Sequence, residues 1–150
     1  MRLTVLLAFL CLSIISHSQE SSNKDAIINT LNNYIDGFYK GDSLKLKAAL
    51  KPRLYKFGYW KNKDTKAYEY YKKMSYNEAI AFSKNVLKEN RVKGEDVIRK
   101  AEVLDISNHI AAAKVTAFWG VDYMLLSKEN GKWMIEQVIW EGPLEDSHTH

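Results

Sequence analysis

Asn130-Gly131 sits between two alternating runs, residues 122–128 and 132–140, and constrains the chain more than any other pair in it. Both central residues of a type I′ turn need φ > 0, which Asn-Gly adopts at low cost, so the pair predicts a two-residue hairpin. Such a loop sets Lys128 opposite Trp133, Leu126 opposite Ile135, Met124 opposite Gln137 and Asp122 opposite Ile139. A preceding turn at Trp119-Gly120 adds a third strand, with Ala117 opposite Asp122, Val115 opposite Met124 and Ala113 opposite Leu126. Both turns select one face, carrying Ala111, Ala113, Val115, Ala117, Met124, Leu126, Trp133, Ile135 and Ile139, and this apolar face is expected against the core. Asp122 and Gln137 share it. A buried polar group left unpaired costs about 1–3 kcal/mol, so these two point to a cavity with something to bind. The opposite face, with Phe118, Val121, Tyr123, Val138 and Trp140, is too apolar to stand in water and is expected to have a partner.

At the other end of the chain, Arg2, the apolar run from Leu3 to Ile15, and small Ser16 and Ser18 before Gln19 form the pattern of a secretory signal peptide over residues 1–18. The run is shorter than the roughly 20 apolar residues of a membrane span, so no span is expected. Cys11 follows Phe9-Leu10, where a lipid-anchored chain would carry a small residue. The mature chain therefore holds no cysteine, and its expected location is periplasmic or extracellular. About 130 residues remain, enough for one domain over 19–143, followed by a polar tail over 144–150 expected to be disordered. The formal charge of +4 favours no class of partner.

Ile27, Leu31, Tyr34, Ile35 and Phe38 recur at helical spacing from Lys24 to Lys40, and Gly41 ends that helix. Asp42 reads as the N-cap of a short helix, Ser43 to Leu50, burying Leu46 and Leu50 before Pro52. Leu54 to Lys61 and Lys66 to Lys73 predict a hairpin rich in tyrosine and lysine. Such interleaving can stack single-stranded nucleic acid, but the export signal opposes it, leaving a solvated edge guarded by lysines. Ser75-Tyr76-Asn77-Glu78 is a capping box for a helix to about Glu89, with Ala79, Ile80, Ser83, Val86 and Leu87 facing inward. Val97 to Ile106 completes a four-strand antiparallel meander.

No catalytic motif stands out. The mature chain has no cysteine nucleophile, glycine-rich phosphate loop or nucleophile elbow, and His109, His148 and His150 occupy a turn and the tail. No metal or cofactor is expected.

Tyr34-Ile35-Asp36-Gly37-Phe38-Tyr39-Lys40-Gly41-Asp42, Leu46 with Leu50 and Pro52, Ala111 to Val115, Asp122-Tyr123 and Gly131-Lys132-Trp133-Met134-Ile135 follow one another in the order of a known superfamily. The chain resembles the nuclear transport factor 2-like superfamily, and within it the exported bacterial proteins called the putative lumazine-binding family. The resemblance implies an α+β, cystatin-like cone in which a curved antiparallel sheet wraps around a long N-terminal helix, with a pocket at the mouth. It also implies a homodimer through the sheet. On it, the leading expectation is a binding domain for a small hydrophobic or aromatic molecule, with Tyr34, Trp60, Asp122 and Gln137 as wall residues. The second is an isomerase- or cyclase-like enzyme with Asp122 as general base, raised in pKa by burial. The third is a structural dimer without a ligand.

Overall fold

The computed structural model describes the backbone of residues 2–145 and the side chains of residues 21–145. The side chains of the expected signal segment and residues 146–150 of the expected tail lie outside the described residues. Helix α1 spans Arg2–Tyr39, and its inward stripe is the expected one: Ile27, Leu31, Tyr34 and Ile35 are fully buried, with Phe38 and Tyr39 close behind. Among the described residues no helix is long and apolar enough to cross a membrane.

Gly41 closes α1 at φ 69°, and the Asp42 carboxylate accepts from the N–H groups of Leu44 and Lys45 to start α2, Ser43–Ala49. Leu50, expected as the last residue of this helix, is instead the first of β1, Leu50–Lys61. Strand β2, Tyr68–Met74, returns antiparallel to β1. The capping box is formed in full, the Ser75 hydroxyl accepting from Glu78 N–H while the Glu78 carboxylate accepts from Ser75 N–H, and α3 runs Tyr76–Lys88. Ala79, Ile80, Ser83 and Val86 are buried, but Leu87 is exposed. The strands β3 (Arg99–Ile106), β4 (Ile110–Ala117), β5 (Gly120–Glu129) and β6 (Lys132–Gly142) form the meander.

One curved sheet of six strands holds them in the order β2-β1-β6-β5-β4-β3. It is mixed, not wholly antiparallel: β1 lies parallel to β6, with Phe57 beside Ile139 and Gly58 beside Trp140. A pairing between segments so distant in sequence leaves no local signature, which is why hydrophobic alternation did not reveal it.

Two further corrections concern register. The β4–β5 turn is Phe118-Trp119, with Ala117 opposite Gly120, so Val115 faces Asp122 and Ala113 faces Met124. Gly120 is needed for close approach, since a Cβ there would sit 1.8 Å from the Glu141 carbonyl oxygen. The slip is two residues, so every β4 side chain keeps its expected face. At the Asn130-Gly131 hairpin, Lys128–Trp133 and Leu126–Ile135 pair as expected, but a bulge follows: Leu125 meets Gln137, Met124 meets Val138 and Asp122 meets Trp140. Glu136 occupies the extra position, held by the Arg53 guanidinium at 2.6 and 2.8 Å and by the Ser127 hydroxyl. Beyond the bulge the faces reverse. Val138 is fully buried, Ile139 is 40 % exposed, and Gln137 leaves the inner face.

Against α1 the sheet presents Ala111, Ala113, Val115, Ala117, Met124, Leu126, Trp133, Ile135 and Val138, all buried. Thr30 ties the helix to β6 by donating to the Trp133 carbonyl at 2.9 Å.

Candidate functional site

Where the sheet curls away from the C-terminal half of α1, the core opens into a cavity of about 610 Å³. Tyr34 and Phe38 from α1 form one wall, and Phe118 and Trp119 of the β4–β5 turn continue it. Trp60 of β1 and Trp140 of β6 stand across from them, while Tyr71, Lys72 and Met74 of β2 and Phe82 of α3 close the rim. The rings brace one another edge-on: Tyr34 and Phe38 centroids are 4.9 Å apart, Phe38 and Trp119 5.7 Å, and Tyr71 and Trp140 5.5 Å. Gly58 allows Trp140 its place, because a Cβ there would lie 2.3 Å from the Trp140 carbonyl oxygen and 2.5 Å from its indole.

A buried polar chain lies at the inner end. Lys56 Nζ donates to Tyr34 Oη at 2.8 Å, Tyr34 Oη donates to Asp122 Oδ2 at 2.7 Å, and Trp119 Nε1 donates to Asp122 Oδ1 at 3.0 Å. Lys56 Nζ is 3.7 Å from Asp122 Oδ2, so the two charges attract through space while the phenol carries the hydrogen bonds. Asp122 is fully buried and the Lys56 side chain is 8 % exposed. The ammonium also lies 5.5–5.9 Å from the ring centres of Trp140, Tyr34 and Phe38.

Burial pushes the Tyr34 phenol well above its ordinary pKa, and the Asp122 carboxylate beside it adds to the rise, so Tyr34 remains a donor. Burial also pulls the Lys56 ammonium below its ordinary value, against the attraction of Asp122. The Lys56 ammonium is therefore held less firmly than that of a solvated lysine. Among the described residues no group of three or more His, Cys, Asp or Glu side chains could hold a metal ion.

Of the residues singled out from sequence, Tyr34 and Trp60 line the cavity. Asp122 is fully buried behind the wall, each of its oxygens already accepting a hydrogen bond. Gln137 is paired with Leu125 and Tyr55 across the outer side of the sheet, turned there by the bulge. Lys56 was missed, counted among the lysines guarding an edge. Its position carried a signal, since Lys56 shares strand parity with Leu54, Gly58 and Trp60, the inward set.

The family model described as Putative lumazine-binding matches residues 22–141, a span that includes every residue of the polar chain. The chain belongs to the putative lumazine-binding family. Solved structures similar to this family member share its fold. An NTF-2 like protein of unknown function from Silicibacter pomeroyi aligns with a TM-score of 0.60 at 15 % identity, covering 81 % of this chain and 96 % of that one. An NTF2-like protein from Methylobacillus flagellatus gives 0.57 at 23 % identity, over 80 % and 91 %. A cystatin-like domain from Nostoc punctiforme gives 0.54 at 13 % identity, over 84 % and 80 %. The expected α+β cone of the nuclear transport factor 2-like superfamily is thus the fold of this chain, and no curated protein matches it.

Proposed function

We propose that this chain is an exported domain that binds a planar, partly aromatic small molecule in the mouth of the cone. The observation that carries the proposal is the cavity itself. Its volume of about 610 Å³ falls within the range of small-molecule sites, and its aromatic walls enclose one buried ammonium able to reach a ligand oxygen. The family's description supports a fused heteroaromatic ring with carbonyl groups as the first probe. Export is supported by the apolar run and small residues before Gln19.

The engaged state of Asp122 favours binding over proton transfer with this carboxylate as base, because a base must reach the substrate's proton and both its oxygens are taken. The open cavity likewise stands against a purely structural dimer, whose cone would be filled.

The homodimer remains part of the proposal, on a revised surface. Of the five residues expected to form it, Phe118 and Trp140 line the cavity and Val121 and Val138 are buried, leaving Tyr123. The outer side of the sheet instead carries Tyr55, Tyr59, Tyr70, Tyr123, Leu125 and Ile139, each more than a third exposed.

A thermal-shift titration with lumazine tests the binding. At a concentration about 100 times Kd, the folded state gains roughly 2.7 kcal/mol, which raises Tm by several degrees. Unchanged melting with lumazine and with flavin-like rings would exclude that ligand class.

A further inference from the structure

We propose that the cavity is a carbonyl-capturing site, in which Lys56 Nζ forms an imine with an aromatic aldehyde or ketone. This rests on the small-molecule reading above and names its chemistry. Three features of the geometry carry it. Lys56 is a primary amine at the inner end of an aromatic cavity, shielded from water over nearly all of its surface. Its hydrogen-bonded neighbour is a phenol, Tyr34, and not a carboxylate. That phenol in turn donates to Asp122, giving a continuous path for a proton from Lys56 through Tyr34 to Asp122.

The path supplies what imine formation needs, a neutral amine for attack and an acid for dehydration. A proton leaves the ammonium for Tyr34 Oη as the phenol proton moves to Asp122 Oδ2, leaving an amine beside a carboxylic acid. The nitrogen lone pair then forms the C–N bond at the carbonyl carbon, and one N–H proton passes to the carbonyl oxygen, giving a carbinolamine. The proton held by Asp122 returns through Tyr34 to the hydroxyl, which departs as water as the C=N bond forms. An iminium stands opposite a carboxylate at the end, with the same two charges as at the start. Burial assists from the outset by lowering the ammonium's pKa. Aromatic rings around the nitrogen favour an aryl carbonyl over a sugar or an aliphatic one.

The chemistry is testable with 2-naphthaldehyde and sodium cyanoborohydride, which reduces an imine to a stable amine whose mass and position are read after proteolysis. The full mature chain is predicted to be labelled at Lys56 about tenfold faster than at any other lysine, because only this amine meets the aldehyde inside an aromatic cavity with a proton relay beside it. Lys56→Arg, which keeps the charge but cannot form the imine, should abolish that label. Tyr34→Phe should slow labelling more than it weakens quenching of cavity tryptophan fluorescence by the same aldehyde, which separates proton relay from packing. Quenching by the aldehyde with Lys56 unlabelled would overturn imine formation and leave the binding reading standing. Failure of both readouts would overturn the two together.

Discussion

Lys56 and Asp122 are a buried ion pair joined by a tyrosine, and such pairs respond asymmetrically to mutation. Removing one charge strands the other in a low-dielectric site at a cost of about 3–5 kcal/mol, whereas replacing both by neutral groups restores most of the loss. Asp122→Asn is therefore predicted to lower stability by that amount in urea denaturation, and adding Lys56→Met should recover more than half of it. A single variant within about 1 kcal/mol of the parent, or a double variant worse than either single, would show that the pair is not coupled. Asp122 was recognisable in the sequence because an aspartate stood among alanines and leucines on an inward face. The tyrosine opposite it was also visible, as a hydroxyl on a helix stripe. What joined them was hidden, because a lysine in a lysine-rich hairpin is read as solvated until the strand's parity is followed.

At the scale of elements, the junction of α1, α2 and β3 is held by Asp36, 8 % exposed, which accepts from Lys45 at 2.6 Å and from Arg99 at 2.8 Å. Burial alone would raise the Asp36 pKa, but the hydrogen bonds from Lys45 and Arg99 outweigh it and hold the carboxyl below its ordinary value of 3.8. A carboxylate depressed in the folded state stabilises fully above its unfolded pKa, and that contribution fades as pH falls through the folded value. Asp36→Asn is accordingly expected to cost about 1–3 kcal/mol at pH 7 and progressively less below pH 4, measured as paired urea midpoints. A gap that stays constant down to pH 2 would contradict this. Elements of this kind were legible where the signal is local: the Asp42 cap, the Ser75–Glu78 box and the Asn130-Gly131 turn all stand where the sequence puts them. The features that escaped are non-local or geometric. The parallel β1–β6 pair joins segments far apart in the chain, and the bulged Glu136 is held by Arg53 and Ser127, which no periodicity connects to it. That one bulge carried Trp140 into the cavity and Gln137 out of it.

For the whole molecule, the fold divides its aromatic residues between the cavity and the outer side of the sheet. On the outer side of the sheet, Tyr55, Phe57, Tyr59 and Tyr70 form a contiguous cluster with ring centres 5.3–6.4 Å apart, flanked by Tyr123, Leu125 and Ile139. An exposed apolar patch of this extent marks an interface, and the proposed symmetric dimer would cover it with its own copy. Sedimentation equilibrium of the mature chain should give the mass of two chains, and Leu125→Asp should shift it to one. A monomer at high micromolar concentration would remove the dimer while leaving the cavity untouched. At the cone's mouth, Trp60, Trp119 and Trp140 line the cavity, whereas Trp133 lies elsewhere, its Nε1 donating to Asn23 at 3.3 Å. This division makes tryptophan fluorescence the most direct probe of a ligand in the cavity. Titration with lumazine is predicted to quench the parent saturably, one ligand per chain, and to leave unquenched a Trp60→Phe, Trp119→Phe, Trp140→Phe chain whose signal comes from Trp133 alone. Equal quenching of that triple variant, or a parent signal that falls linearly without saturation, would contradict a cavity built for a planar aromatic molecule.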